Sequence, residues 1–351
     1  MRSTFHKDDV TLLLKDISGM VEPLPASARE PRIQRGVHYS EMLPLEYVPT
    51  PDYVALFETA LDRYSALTAR AVCCAADRIV SDKGDSVVLV SLARAGISVG
   101  ILLKKRIRQK YGFDPDHFAI SIIRGRGIDS NAMASILRAH RPGEIQFVDG
   151  WTGKGAIQRE LDAAMLAYPG VNAKLAVLSD PAGVSGICGT HEDFLIASSC
   201  LNSTVSGLIS RTFLRSDIIG AEDFHGAAFY GELASEDRTY EFIDKVEEYF
   251  DAVELQDCQE EAAARRSGLD EVREIASCFG LSDINLIKPG IGEATRVLLR
   301  RVPWKILVSN LEDEAHLGHL YQLAKEKDVP VELYPLKNYR ACGIIKEMAD
   351  S

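Results

Sequence analysis

Short apolar runs alternate with amphipathic stretches along the first two thirds of the chain. Apolar runs separated by helical patterns favour a mainly parallel sheet covered on both faces, and so an α/β fold class. The predicted strands are 86–92, 118–123, 145–148, 175–178 and 194–197, and the predicted helices are 53–79, 97–111, 131–140 and 156–167. Such sheets bind ligands where strands end and loops enter helices.

A second, shorter alternation follows a stretch, 236–265, that is predicted to be a long acidic helix. It predicts a smaller α/β/α unit with its own core. The predicted helices are 270–279, 291–301, 314–327 and 338–348, and the predicted strands are 284–287, 305–309 and 331–334. The predicted organisation is therefore a first domain over 1–235 with an irregular cap at its start, a linker over 236–268 and a second domain over 269–351.

Charge and cysteine content narrow the class of protein. The 351 residues carry 40 basic and 51 acidic side chains, and the net charge of −11 argues against a protein that coats nucleic acid by bulk charge. No apolar run is long enough to cross a membrane, and the polar N-terminus does not resemble a signal peptide. The seven scattered cysteines suggest neither a zinc ribbon nor a disulfide scaffold, so a reducing cytoplasm is expected. No metal site is predicted.

The strongest local pattern is a hydrophobic strand that ends in a carboxylate and enters a helix through a glycine-rich turn. Asp149 ends the strand, and Gly150, Thr152, Gly153, Lys154 and Gly155 form the turn. Backbone N–H groups at such a turn can hold a phosphate, while the carboxylate accepts hydrogen bonds from sugar hydroxyls. A plain strand–turn–helix connection is the alternative.

Two more strand exits carry arginine beside small residues. The first contains Arg94, Ala95 and Gly96, and the second contains Arg124 and Arg126 between glycines. Arginine in such loops can bind pyrophosphate bidentately or close over an anionic leaving group. Tight helix–strand packing and a solvated surface turn are the respective alternatives.

Together these loops resemble those of phosphoribosyltransferases. The resemblance implies that Asp149 binds ribose, that the turn from Gly150 to Gly155 holds the 5-phosphate, and that Arg94, Arg124 and Arg126 serve pyrophosphate. It also implies phosphoribosyl pyrophosphate and a base as substrates, with Mg²⁺ as cofactor. Val148 stands where most members have a second acid. Asp180, after the next strand, is a candidate acceptor contact or a turn former.

From about residue 30 to 349 the chain is similar to a bacterial family that joins such a domain to a C-terminal Pelota-type RNA-binding domain. The residues that carry this likeness are 92–96, 122–129, 147–155 and 202–212. The family also bears the name cysteine protease StiP and is associated with tellurite-resistance and stress gene clusters.

The C-terminal half of that likeness lies in a strand-to-helix turn. The resemblance implies that structured RNA is bound by residues in or beside this turn, namely Lys288, Gly290, Gly292, Glu293, Arg296 and Arg300. The helix N-terminus would face RNA phosphates. The alternative is an α/β unit that serves as a docking or dimerisation surface, and a homo-oligomer is left open.

A cysteine peptidase needs a thiol near an imidazole. Cys188 is the only cysteine with a histidine, His191, within three positions, and papain-like or caspase-like surroundings are absent. We therefore predict a phosphoribosyltransferase with a C-terminal RNA-binding domain. The alternatives are a non-catalytic nucleotide- or RNA-binding stress protein and a cysteine protease.

Overall fold

The computed structural model describes residues 1–254, 258 and 267–346, with the backbone alone for Ala26, Glu30 and Arg300. The helices are α1 (Ala26–Gln34), α2 (Pro51–Lys83), α3 (Ala95–Tyr111), α4 (Ser130–Leu137), α5 (Ala156–Met165), α6 (Thr239–Glu247), α7 (Gly268–Phe279), α8 (Ile291–Arg300) and α9 (Glu314–Glu326). The strands are β1 (Thr11–Leu12), β2 (Lys15–Asp16), β3 (Val88–Leu92), β4 (His117–Ile120), β5 (Ile122–Ile123), β6 (Gly127–Ile128), β7 (Ile145–Val148), β8 (Leu175–Ser179), β9 (Ile187–Thr190), β10 (Gly226–Ala227), β11 (Ile287–Pro289), β12 (Pro303–Val308), β13 (Val331–Leu333) and β14 (Ala341–Ile345).

The larger unit, residues 1–254, is built on a six-stranded sheet in the order β1-β4-β3-β7-β8-β9, with parallel pairing throughout. Alternate residues of its strands enter different cores. Leu89 packs with α2 and α3, whereas Val88 and Val90 pack with α4 and α5. Strands covered on both faces are apolar throughout, which explains the unbroken runs in the sequence. The predicted α/β class with a mainly parallel sheet is confirmed; the finer likeness to phosphoribosyltransferases stays a prediction.

Helix α2 is the longest element and runs behind the last two strands. Pro51 stands at its first turn, where a missing N–H is tolerated, and Gly84 ends it with φ of 71°. The helix comes so near β9 that a Cβ on Gly189 would lie 2.1 Å from the carbonyl oxygen of Ala71. This approach brings Arg78 of α2 to the carbonyl of Cys188 in β9.

Two predicted elements are wrong. Residues 194–197 were expected to form a strand, but the strand is β9, and Phe194, Leu195 and Ile196 are buried without strand pairing. Residues 338–348 were expected to form a helix, but 341–345 are β14, paired with β11 and β12. Both errors have one cause, since a short apolar run has no periodicity that distinguishes strand from helix. The predicted acidic helix is α6 over 239–247, and 255–257 and 259–265 of it lie outside the described residues.

The C-terminal unit, residues 267–346, has a four-stranded sheet in the order β11-β14-β12-β13. Its β14 is antiparallel to both neighbours, and β12 pairs with β13 in parallel. Helix α7 packs on one side of this sheet through Val272 and Ile275, while α8 packs against β14 through Val297.

The two units are in direct contact at several places. The Tyr53 hydroxyl donates to the carbonyl of Leu299 at 2.6 Å, and the Tyr64 hydroxyl donates to the carbonyl of Ala315 at 3.0 Å. The Ala182 methyl of the larger unit is buried within the apolar core of the C-terminal unit. Among the helices in the described ranges, none combines the length and the apolar character that crossing a bilayer requires.

Candidate active site at the ends of β8 and β9

A thiol and an imidazole meet where β9 ends. The Cys188 Sγ lies 3.6 Å from Nε2 of His191 and 3.9 Å from Nδ1. Cys188 is buried in β9, with 5% of its surface exposed, and His191, three residues later, is only partly buried. A thiol and a base within hydrogen-bonding reach form the arrangement from which nucleophilic cysteines are built.

The carbonyl of Asp180 orients the imidazole. It lies 2.7 Å from His191 Nδ1, which assigns the ring proton to Nδ1 and leaves the Nε2 lone pair facing the sulfur. The Asp180 side chain ties its own turn together, because its carboxylate accepts from the backbone N–H groups of Val184 and Ser185, at 2.9 and 2.8 Å, and from the Thr152 hydroxyl. These hydrogen bonds are those of a turn former, and the predicted contact of Asp180 with an acceptor stays a prediction.

A cation from α2 completes the surroundings of the sulfur. Arg78 Nη1 donates to the carbonyl of Cys188 and lies 4.0 Å from its Sγ. A guanidinium at this distance favours the thiolate over the thiol. Arg78 also donates through Nη2 to the carbonyl of Cys258, at 3.3 Å, and Cys258 is joined to Cys74 by a disulfide. The scattered spacing of the cysteines does not predict this bond.

Asp180, Cys188 and His191 also form a group that could hold a metal, with one ligand atom of each within 4.8 Å of the others. The Asp180 carboxylate, however, already accepts four hydrogen bonds from protein groups. A metal ligand would have to give up part of that set, which holds the turn in shape. The geometry therefore fits a thiol–imidazole pair better than a metal centre.

Two other described thiols and one hydroxyl–imidazole pair are held deep in the core. Burial raises the pKa of Cys73 to about 11 and raises the pKa of Cys342 further still. Ser91 Oγ lies 2.7 Å from His117 Nε2, but both residues are buried and burial lowers the pKa of that histidine to about 4. Among the described free cysteines, Cys278 is the exposed one.

The side chains predicted to bind pyrophosphate and ribose, Arg94 and Asp149, are hydrogen-bonded to other groups of the protein. Arg94 is held by the Glu46 carboxylate at 3.2 Å and by the carbonyl of Ile209 at 2.9 Å. Gly96, which follows Ala95 at the beginning of α3, lets the helix approach β7, since a Cβ there would lie 2.5 Å from the carbonyl oxygen of Val148. Asp149 accepts from the N–H of Gly150 at 2.8 Å, and burial raises its pKa to about 6.

The predicted basic loop is bound to α5 and to the N-terminal segment of the larger unit. Arg124 and Arg126 are exposed at the turn between β5 and β6, and the N–H groups of Gly125 and Gly127 donate to the Glu160 carboxylate on α5. Arg126 forms an ion pair with Glu41.

The predicted phosphate turn is a contact with the C-terminal unit. Lys154 Nζ donates to the carbonyls of Ile284 and Ile287, at 2.6 and 3.1 Å, and the Tyr339 hydroxyl donates to the carbonyl of Gly153 at 2.7 Å. Burial, together with the nearby charges of Lys288 and Arg124, lowers the pKa of Lys154 to about 8. Gly155 precedes α5 in the left-handed region, with φ of 72°.

The predicted RNA-binding turn of the C-terminal unit faces the larger unit. Gly290, Gly292 and Glu293 line a small cavity between the units, together with Trp151 and Thr152. Arg296 lies 4.7 Å above the Trp151 ring and donates to the carbonyl of Ser199 at 3.2 Å. Lys288 is partly buried, and the Arg300 side chain lies outside the described residues. The structure thus brings the two predicted ligand turns together across the contact between the units.

Two residues beside the thiol–imidazole pair were not identified from the sequence. Arg78 lies next to the Cys188 sulfur, and Asp193 binds the beginning of α8. Arg78 lies in a helix 110 residues before Cys188, and nothing in its local sequence marks it. Asp193, two residues after His191, directly precedes the predicted strand 194–197, and nothing in its local sequence marks it.

Comparisons with known proteins agree with one another. Residues 3–247 match the family described as tellurite-like stress resistance cysteine protease StiP, and residues 266–347 match the PELOTA RNA binding domain. A curated protein of Acinetobacter baylyi, named cysteine protease StiP, is 36% identical over 367 aligned positions, which cover 98% of this chain and 94% of that protein. The phosphoribosyltransferase function and enzyme class predicted from the sequence are therefore wrong, and the alternative named there fits better. The Mg²⁺ expected with phosphoribosyl pyrophosphate stays a prediction.

Proposed function

Because the chain belongs to the tellurite-like stress resistance cysteine protease StiP family, we propose that it is a cysteine peptidase with Cys188 as nucleophile and His191 as base. The observation that carries this assignment is the 3.6 Å separation of Cys188 Sγ and His191 Nε2, with Nδ1 fixed 2.7 Å from the carbonyl of Asp180. The Arg78 guanidinium, 4.0 Å from the sulfur, supports the thiolate.

The proposed reaction follows from these positions. His191 Nε2 takes the thiol proton, and the Cys188 sulfur attacks the carbonyl carbon of a peptide bond. The C–N bond breaks as the imidazolium returns its proton to the leaving amine, which leaves a thioester. Water, deprotonated by the same imidazole, then hydrolyses the thioester and restores the thiol.

Site-specific alkylation tests the proposed pair. We expect iodoacetamide to modify Cys188 faster than the exposed Cys278 in mildly acidic solution, because His191 and Arg78 favour the thiolate. His191→Gln removes the base and should reduce the Cys188 rate by about tenfold or more, while Cys278 in the same sample reacts as before. The rates are measured by mass spectrometry of the two peptides. Equal rates for Cys188 and Cys278 in the wild type would contradict the proposal.

We also propose that the C-terminal unit binds RNA, since residues 266–347 match the PELOTA RNA binding domain. Of the residues predicted from the sequence, Lys288 is the proposed contact, since Gly290, Gly292, Glu293 and Arg296 face the larger unit. Burial lowers the pKa of Lys288, the charges of Arg124 and Arg301 lower it further, and Glu293 opposes them. Cations that lie close enough to repel one another are stabilised when a phosphate joins them.

A Lys288→Ala variant should weaken RNA binding and its dependence on salt. One lost phosphate contact reduces the slope of log affinity against log salt by roughly 0.7 to 0.9. The measurement is fluorescence anisotropy of a labelled RNA hairpin across a salt series. Lys327→Ala, at an exposed position just after α9, is the matched control and should leave the slope unchanged. An affinity that is independent of salt in the wild type would exclude phosphate contacts.

A further inference from the structure

The segment that carries the thiol–imidazole pair is held at both ends by the C-terminal unit. We call residues 180–193, from the end of β8 through β9 to Asp193, the dyad segment. Near its beginning, Ala182 is fully buried among the core side chains of the C-terminal unit, including Val272 and Tyr339. The Ala182 carbonyl accepts from the N–H of Gly268, at the beginning of α7, at 2.9 Å. This contact lies two residues after Asp180, whose carbonyl orients His191.

The far end of the dyad segment is held by Asp193. Its carboxylate accepts from the N–H of Ile291 at 2.9 Å and from the N–H of Arg340 at 2.8 Å, and its carbonyl accepts from Arg340 Nε at 3.1 Å. Asp193 is 6% exposed, and desolvation raises its pKa to about 6 against the effect of those N–H groups. These hydrogen bonds join Asp193 to the beginning of α8 and to Arg340, the residue before β14.

Asp193 is closely linked to His191 along the backbone. Glu192 is the one residue between them, and its carbonyl accepts from the Ser179 hydroxyl at 2.7 Å. The side chain of Glu192 forms an ion pair with Arg70 of α2. Asp193 and the anchored Glu192 together fix the backbone that leads to the imidazole, so loss of the Asp193 contacts removes one of the two restraints beside His191. Since the ring lies 3.6 Å from the sulfur, a shift of about 1 Å would take the pair out of hydrogen-bonding reach.

We propose that the C-terminal unit is a positioning part of the Cys188–His191 centre and that Asp193 is the positioning residue through which its docking orients the imidazole. This inference rests on the proposed peptidase function. It gives the C-terminal unit a role in the reaction that is separate from any RNA it binds, and it gives a ligand of that unit a physical path to His191.

The test compares three variants of the full chain. Asp193→Ala removes both carboxylate acceptors, and Asp193→Asn keeps one acceptor oxygen while removing the charge. Tyr53→Phe is the matched control, because it removes a contact between the units, the 2.6 Å hydrogen bond to the carbonyl of Leu299, that lies outside the dyad segment. Each variant is first compared with the wild type by circular dichroism and thermal unfolding.

The readout is the rate of iodoacetamide modification at Cys188 across a pH series, with Cys278 as the internal reference. We expect Asp193→Ala to slow Cys188 by about tenfold and to bring its pH profile towards that of Cys278, because the base is misplaced. Asp193→Asn should recover part of the rate, and Tyr53→Phe should keep all of it. If the alanine variant does not fold, the asparagine variant decides.

Three results would overturn the inference in distinguishable ways. A wild-type rate and pH profile at Cys188 in folded Asp193→Ala and Asp193→Asn would overturn the positioning role and leave the peptidase proposal in place. A wild-type Cys188 that reacts no faster than Cys278 would overturn both. Equal slowing in Tyr53→Phe would show that docking in general, and not Asp193, sets the reactivity.

Discussion

Replacement of Cys188 by serine is expected to abolish peptide hydrolysis, with a loss of at least about a thousandfold in kcat/KM. The site is arranged for a thiolate, since His191 Nε2 lies 3.6 Å from the sulfur and Arg78 lies 4.0 Å from it. A serine hydroxyl is far less acidic than a thiol and is not ionised by an imidazole in the ground state. Hydrolysis of fluorescein-labelled casein by the purified protein measures the effect.

Cys278→Ser is the matched control for that experiment. Cys278 is exposed on α7, outside the dyad segment, so the same chemical change there should leave the rate unchanged. Retained hydrolysis in Cys188→Ser would remove Cys188 as the nucleophile. A loss in both variants would instead implicate the fold of the protein.

The sequence predicts the alternation of strands and helices wherever an apolar or amphipathic segment has a clear boundary. The strand over 145–148 was predicted with its observed bounds, and α2 exceeds its predicted range by only a few residues at each end. Prediction failed where burial removed the pattern. Residues 341–345 are central in their sheet and almost wholly apolar, so their sequence does not distinguish a strand from a helix.

The sequence predicts only part of the candidate site, the pairing of Cys188 with His191. Cys188 and His191 could be paired because they are three positions apart, but the groups that orient and activate them come from elsewhere in the chain. The carbonyl of Asp180 carries no side-chain signal, and Arg78 arrives from α2. A sequence pattern shows which residues are neighbours along a strand, whereas the activation of a thiol depends on neighbours in space.

The transferase-like loops misled for a physical reason. Glycine and lysine at a strand-to-helix turn suit a phosphate, and they equally suit a close contact between two parts of a protein. Here Lys154 donates to two carbonyls of the C-terminal unit, and Gly96 makes room for β7. The RNA-like turn opposite is engaged in the same contact through Arg296. Residue types at a turn indicate hydrogen-bonding capacity, and the packing decides which partner uses it.

A Gly189→Ala variant should lose roughly 3 kcal/mol of stability and most of the reactivity of Cys188. Gly189 follows Cys188 in β9, and a Cβ on it would lie 2.1 Å from the carbonyl oxygen of Ala71 in α2. That oxygen belongs to helix backbone and cannot swing aside like a flexible side chain. The strand and α2 must therefore separate, which also changes the position of Arg78 relative to the sulfur.

The midpoint of urea unfolding and the Cys188 alkylation rate together measure this effect. Gly143→Ala is the matched control, because a Cβ there meets nothing within 4 Å, and its stability should stay within about 0.5 kcal/mol of the wild type. A Gly189→Ala protein that is as stable and as reactive as the control would mean that β9 and α2 are less closely packed than the structure places them. Loss of stability with reactivity retained would mean that α2 is not needed to hold the thiol. The close approach of these two elements is thus tested separately from the chemistry of the pair that it supports.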